Sequence, residues 1–195
     1  MIYYPDAFLD NLLLEDIQYG DLTCRALNIN HQLGTITFTC REAGCVSGIT
    51  LGCRLLAKLG LTVTAHLQEG DFAKQGDCLI SAEGRADALH QGWKVVQNVL
   101  EWSCGVSDYM AKMLEIYHRY QPKGQIACTR KNIPNTKLLA TQAVLAGGGI
   151  IHRQGCSETI LLFANHRHFL SEPDNWLQQV TQLRQAAPEK CIVVE

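Results

Sequence analysis

Apolar and polar residues follow three spacings along this chain, and each spacing predicts a different kind of element. Phe8, Leu9, Leu12 and Leu13 share one side of a helix over 6–17, which breaks at Tyr19-Gly20-Asp21. From Gly34 to about Ser81 the runs shorten and become rich in β-formers. GTITFTCRE alternates threonine with apolar residues, and LTVTAHL alternates again. Between them, VSGITLGCRLLAKLG reads as a strand and turn running into a helix that stops at Gly60. The double turn EGD-FAK-QGD at Glu69–Asp77 punctuates a hairpin-like stretch that Gly84 closes.

Residues 86–120 then return to helical spacing, with Leu89, Val95, Val96, Val99, Leu100, Met110, Met113, Leu114 and Tyr117 apolar and Ser103–Gly105 as an interruption. Beyond them, strands and helices alternate. QIACT (125–129), GIIHR (149–153), TILLF (159–163) and CIVVE (191–195) read as strands. TKLLATQAVLA ends as a helix at Gly147, and 173–187 reads as a helix opened by Pro173 and Asp174. Continuous apolar strands between helices predict a parallel sheet buried on both faces. The pattern therefore predicts α+β over about 1–120 and an α/β unit from about 121 onward.

Composition narrows the class. The 195 residues are 47% hydrophobic and 18% charged with a formal net charge of -2, which excludes collagen-like and disordered chains. The interspersed charges argue against a nucleic-acid groove or a polybasic membrane surface. The start carries acids inside its apolar stretch and no basic flank, unlike a signal peptide. The run from Ala143 to Ile151 is about half of the roughly 20 residues a membrane helix needs. A cytoplasmic location is expected. Nine scattered cysteines with no C-x-x-C pair read as reduced, mostly buried thiols. CIVVE stops in what reads as the middle of a buried strand, so a longer protein is expected.

Candidate chemistry lies at the strand ends. QIACT ends in Thr129-Arg130-Lys131, GIIHR in His152-Arg153, TILLF runs into Asn165-His166-Arg167, and CIVVE ends in Glu195. In parallel α/β barrels the carboxyl ends of the strands converge on one face. Such a rim suits a polyanion, because an Arg fork binds carboxylate or phosphate bidentately and Lys adds a point charge. Other combinations carry less. His152, Cys156, His166 and His168 match no standard zinc spacing, so neither zinc nor haem is expected. Cys128 has no partnered base in view, and Lys74, between the two turns, lacks the neighbours of a carrier-domain lysine.

Five blocks, E-D-I-Q-Y-G-D-L-T (15–23), Q-N-V-L-E-W-S-C-G (97–105), C-T-R-K-N-I-P-N (128–135), G-G-G-I-I-H-R (147–153) and L-F-A-N-H (162–166), carry a resemblance over essentially the whole chain. The sequence resembles the quinolinate phosphoribosyltransferase (nicotinate-nucleotide pyrophosphorylase, carboxylating) family, and within it the ModD branch associated with molybdenum transport systems. The resemblance implies an N-terminal α/β sandwich domain with its linking helices over 1–120. It then implies the first part of a six-stranded phosphoribosyltransferase α/β barrel over 121–195. It further implies a homodimer with a shared active site and a magnesium-dependent transfer of phosphoribose from phosphoribosyl pyrophosphate to a heterocyclic acid, releasing pyrophosphate.

By position, Arg130, His152 and Arg153 match the basic residues that hold the pyridine dicarboxylate, and Lys131 matches the lysine beside them. Glu195 matches an acid that helps hold ribose and metal, while Asn165 and His166 lie in a matching block. Arg130, Lys131 and Glu195 are the implied catalytic residues. Lys94, after Trp93, stands where the family has an arginine reaching into the neighbouring subunit's site. Phe163 stands where it has a lysine. A hydrogen bond to a charged group contributes about 1.5–3 kcal/mol, so loss of that lysine should weaken a dicarboxylate roughly 10–100-fold. The expected acceptor is a relative of quinolinate, not quinolinate itself. The same rim would also serve a non-catalytic protein that binds molybdate or phosphate.

Overall fold

The computed structural model describes residues 2–195. The chain forms two bodies. One comprises the chain up to Cys128 together with Asn132–Ile150, and the other comprises Thr129–Lys131 and Ile151–Glu195.

The first body contains α1 (Asp6–Leu14), α2 (Leu22–Ala26), β1 (Leu33–Thr39), β2 (Gly44–Cys45), α3 (Ile49–Lys58), β3 (Thr62–Ala65), β4 (Phe72–Ala73), β5 (Cys78–Arg85), α4 (Ala86–His118), β6 (Ala127–Cys128) and α5 (Lys137–Ala146). Strands β1, β5 and β3 form an antiparallel sheet in that order, with Leu33 opposite Arg85 and Thr62 opposite Glu83. The core lies between this sheet and α3 and α4. Leu51, Leu55, Leu56, Ile80 and Val96 in it are fully buried. Gly52 permits that closeness: a Cβ there would come within 2.9 Å of Ile80 Cδ1 and 3.1 Å of Val96 Cγ1.

Three expectations change here. The first helix ends at Leu14, and the short α2 begins after the break, with Asp21 accepting the Cys24 N–H as its cap. Ser103–Gly105 does not interrupt α4, which runs unbroken for 33 residues. Ser103 and Ser107 are fully buried, and the Ser107 hydroxyl donates to Cys45 O (2.7 Å) and Cys104 O (3.1 Å). Packing along the helix thus outweighs the propensity cost of one glycine, about 1 kcal/mol.

The EGD-FAK-QGD stretch is two turns rather than a hairpin. Asp71 accepts the Gln68 N–H and Asp77 the Lys74 N–H, each at 2.8 Å, while β4 pairs with the distant β2. Gly70 has φ +89°, and a Cβ there would meet Ala146 O at 3.0 Å. Glu69 caps α3, accepting from Ser47 Oγ (2.8 Å), Gly48 N (3.0 Å) and Thr50 N (2.9 Å). Turn and capping chemistry therefore account for the motif.

β7 (Ile150–Ile151) starts where the first body ends, and Ile150 N–H donates to Ile126 O beside β6. The second body then holds β8 (Ile160–Leu162), α6 (Ala164–Arg167), α7 (Trp176–Ala186) and β9 (Ile192–Val194). Strands β8 and β9 are parallel, with Leu162 opposite Val194. Helix α7 starts three residues after the expected Pro173, because the Asn175 side chain accepts the Gln178 N–H at 3.1 Å and sets the cap there.

The expected burial of these strands on both faces is not met. Leu162 is buried, but Ile160, Leu161, Ile192 and Val193 are half-buried and Val194 is exposed. The expected burial of most cysteines is not met either. All nine are free thiols, yet only Cys24 and Cys45 are buried, and Cys156 and Cys191 in the second body are exposed. Among the described residues no helix is long and apolar enough to cross a membrane.

Candidate anion-binding site

The parallel register of β8 and β9 carries Phe163 and Glu195 off the same end of the two strands, and Glu195 N–H donates to Leu162 O at 3.1 Å. Phe163 is the N-cap of the one-turn helix α6, which presents Asn165 and His166 to solvent. Its backbone N–H donates to His166 Nδ1 at 3.1 Å, and the two rings stack with centroids 5.7 Å apart and planes 15° apart. Arg167, next along α6, lies over the Trp176 ring at 4.0 Å and also 4.0 Å from Asp174. This cation–π contact ties α6 to the start of α7.

A cavity of about 460 Å³ in the second body brings Arg130, Arg153, Phe163 and His166 together with Cys156 and Thr159. Arg130 Nη1 lies 3.8 Å from Cys156 Sγ, and Arg153 Nη1 donates to Thr159 O at 3.4 Å. The remaining wall is largely apolar, with Leu162, Leu170 and Leu183. Two guanidiniums in one cavity with hydrocarbon and aromatic rings suit an anion attached to a flat or apolar body. The cavity thus gathers four of the residues expected at the rim.

Lys131 and Glu195 are exposed, His152 is half-buried and Asn165 is exposed, and none of these four lines the cavity. Lys94 lies in the first body on α4, where its ammonium donates to Gln97 Oε1 (2.8 Å) and sits 5.4 Å from the Trp93 ring centre. Sequence reasoning missed Thr159 and Gln179 as cavity residues and considered Cys156 only as a metal ligand. Gln179 occupies a polar position on an amphipathic helix, and nothing in the spacing marks it as buried.

A larger cavity, about 540 Å³, lies in the first body beside Phe38, Trp93 and Cys104, but its charges are mostly acidic. Two of them are already paired, Glu101 with Arg41 at 3.8 Å and Asp108 with Lys112 at 2.6 Å. The charges favour the smaller cavity for an anion. Among the described residues no three His, Cys, Asp or Glu side chains gather as a metal site.

Comparison with known proteins agrees with the fold. The family model described as quinolinate phosphoribosyl transferase, N-terminal domain, matches residues 21–104, and the corresponding C-terminal domain matches 106–195. ModD of Escherichia coli O6:H1 is 62% identical over all 195 residues, which span 69% of its length. Nicotinate-nucleotide pyrophosphorylase [carboxylating] of Mycobacterium leprae is 26% identical over 97% of this chain and 68% of its own. The crystal structure of NadC from Streptococcus pyogenes superposes with a TM-score of 0.88 at 26% identity, covering 97% of this chain and 66% of that one. The present chain therefore spans about two thirds of the length of these relatives. On two matched domains and a relative of 62% identity, the chain belongs to the quinolinate phosphoribosyltransferase family.

Proposed function

We propose that this chain belongs to a pentosyltransferase that moves phosphoribose from phosphoribosyl pyrophosphate to a heterocyclic carboxylic acid related to quinolinate, releasing pyrophosphate. The observation that carries the reading is the convergence of Arg130 and Arg153 with Phe163 and His166 on one cavity. In this reaction a ring nitrogen of the acceptor attacks the ribose anomeric carbon. A carbon–nitrogen bond forms as the carbon–oxygen bond to pyrophosphate breaks, and the leaving group takes the electron pair. The protein's share is electrostatic. The guanidiniums orient anionic groups before reaction and hold negative charge as it develops on the leaving group.

Phe163 supports an acceptor other than quinolinate, since a phenyl ring stands where a second carboxylate would need a cation. Lys131 and His152 are proposed to meet ligand phosphate or carboxylate at the edge of the cavity, with Asn165 beside them. Lys94 is proposed to serve the neighbouring subunit's site in a homodimer. Mg²⁺ is the expected ion. Such an ion typically takes one or two carboxylates plus substrate phosphates. Glu195, an exposed acid at a strand end, fits as one ligand to an ion arriving with the diphosphate. When bound, that ion neutralises charge on the diphosphate. A link to molybdenum uptake belongs to this proposal through the sequence resemblance to the ModD branch.

One observation favours a second reading, non-catalytic binding of phosphate or molybdate. The cavity collects the guanidiniums but not Glu195. Pyrophosphate release from phosphoribosyl pyrophosphate, measured with a panel of pyridine and other heterocyclic acids, separates the two. Release that depends on an acid and is abolished by Arg130→Ala and Arg153→Ala supports the transferase. Tight phosphate or molybdate binding without release from any acid supports the second reading.

A further inference from the structure

The stacked pair Phe163 and His166 has a chemical polarity that the guanidiniums lack. The Phe163 N–H donates to His166 Nδ1 at 3.1 Å, so that nitrogen must present its lone pair. In the uncharged imidazole the proton is therefore on Nε2. Stacking against Phe163 with planes 15° apart restrains its orientation as well as its tautomer. Nε2 has no partner among the described residues, and the imidazole lines the same cavity as Arg130 and Arg153. The cavity thus offers two charged forks and one pre-oriented N–H donor beside a phenyl face.

The geometry points to His166 as a specificity-determining residue, its Nε2–H reading a hydrogen-bond acceptor on a planar heteroaromatic acid that stacks beside Phe163. This inference rests on the transferase reading above and narrows its acceptor. The nucleophilic ring nitrogen cannot be the atom read, because a hydrogen bond to its lone pair would oppose attack on the anomeric carbon. The atom read is a second acceptor on the ring, either an exocyclic oxygen or a further ring nitrogen. The carboxylate is left to the guanidiniums, which bind it more strongly than a neutral donor would. The ligand class is accordingly a heteroaromatic monocarboxylate with a second acceptor atom.

Matched probes test this on the 195-residue chain. Nicotinate and 6-hydroxynicotinate differ by one exocyclic oxygen, and pyrazine-2-carboxylate differs from picolinate by one ring nitrogen. Calorimetric titration of each pair, with pyrophosphate titrated separately, should show the acid with the extra acceptor binding about 3–10-fold more tightly in at least one pair. His166→Phe should erase that preference. Nitrogen-15 spectra of the histidine rings give a second readout needing no variant. They should show His166 as the Nε2–H tautomer, with Nε2 shifting when the preferred acid is added. No preference in either pair, a preference that survives His166→Phe, or an Nδ1–H tautomer would each overturn the inference. Failure of pyrophosphate itself to bind would instead overturn the transferase reading beneath it.

Discussion

The two bodies divide the work of the chain between them. The first holds a continuous core in which Leu51, Leu55, Leu56, Ala73, Ile80 and Val96 have lost all contact with solvent. In the second, only Leu162 and Gln179 are buried, and charged residues gather around a cavity. Burial of an aliphatic side chain contributes about 1.5–3 kcal/mol, so the free energy of folding resides mainly in the first body. The second exposes the groups that can meet a ligand. Stability and chemistry thus respond to different substitutions, which makes the division testable.

The largest effect expected is on stability. Leu55→Ala, at a fully buried position in α3, should destabilise the chain by about 2–5 kcal/mol in urea unfolding. Leu161→Ala, on half-buried β8, should cost less than about 1.5 kcal/mol. Equal losses would break the comparison. Phe163→Lys should act on the ligand instead. It restores a cation beside two guanidiniums and should raise quinolinate affinity about 10–100-fold, with the unfolding midpoint little changed. An unchanged affinity would show that the ring does not face the acceptor.

Glu69→Ala removes the carboxylate from the start of α3, leaving the fully buried Ser47 hydroxyl without its acceptor. A loss of about 1–2 kcal/mol is expected, with pyrophosphate affinity unaltered. The last effect is a pH dependence. Burial pushes the Cys104 thiol up to about 11, because the thiolate is disfavoured where it packs. Its folded value lies above the unfolded one, near 9. The stability it contributes is therefore complete below about pH 9 and is lost as pH rises toward 11. Comparing urea midpoints of the wild-type chain and Cys104→Ala across that range isolates this contribution. Parallel curves would contradict it.

Legibility in the sequence followed the same division. In the first body alternating apolar positions located β1 and β3, and the apolar run stopped by Gly60 located α3. The pattern failed where a residue's role was set by something distant. Ser103–Gly105 read as an interruption, but Ser103 is fully buried inside α4, as is Ser107 one turn on. Glu69 read as turn punctuation, whereas its carboxylate caps a helix that begins twenty residues earlier in the chain. In the second body, apolar runs located β8 and β9 but overstated their burial, because a run of valine and isoleucine reports what a strand can bury and not what covers it.

The candidate site shows the same limit. Counting cations at strand ends found Arg130, Arg153 and His166, and the family resemblance added Phe163. Neither source could say that Lys131, His152, Asn165 and Glu195 would stand apart from the cavity. Strand ends fix where a side chain starts, but a cavity depends on where several side chains finish. The tautomer of His166 was equally out of reach, since it depends on one backbone N–H three residues earlier.

The central claim is that Arg130 and Arg153 make one anion site that contributes little to folding. Titrating pyrophosphate into the wild-type chain and into the Arg130→Ala/Arg153→Ala double variant, alongside their urea midpoints, tests it most directly. The account predicts at least a 10-fold loss of affinity with a midpoint change of no more than about 0.5 kcal/mol. Unchanged pyrophosphate affinity in a folded double variant would contradict it.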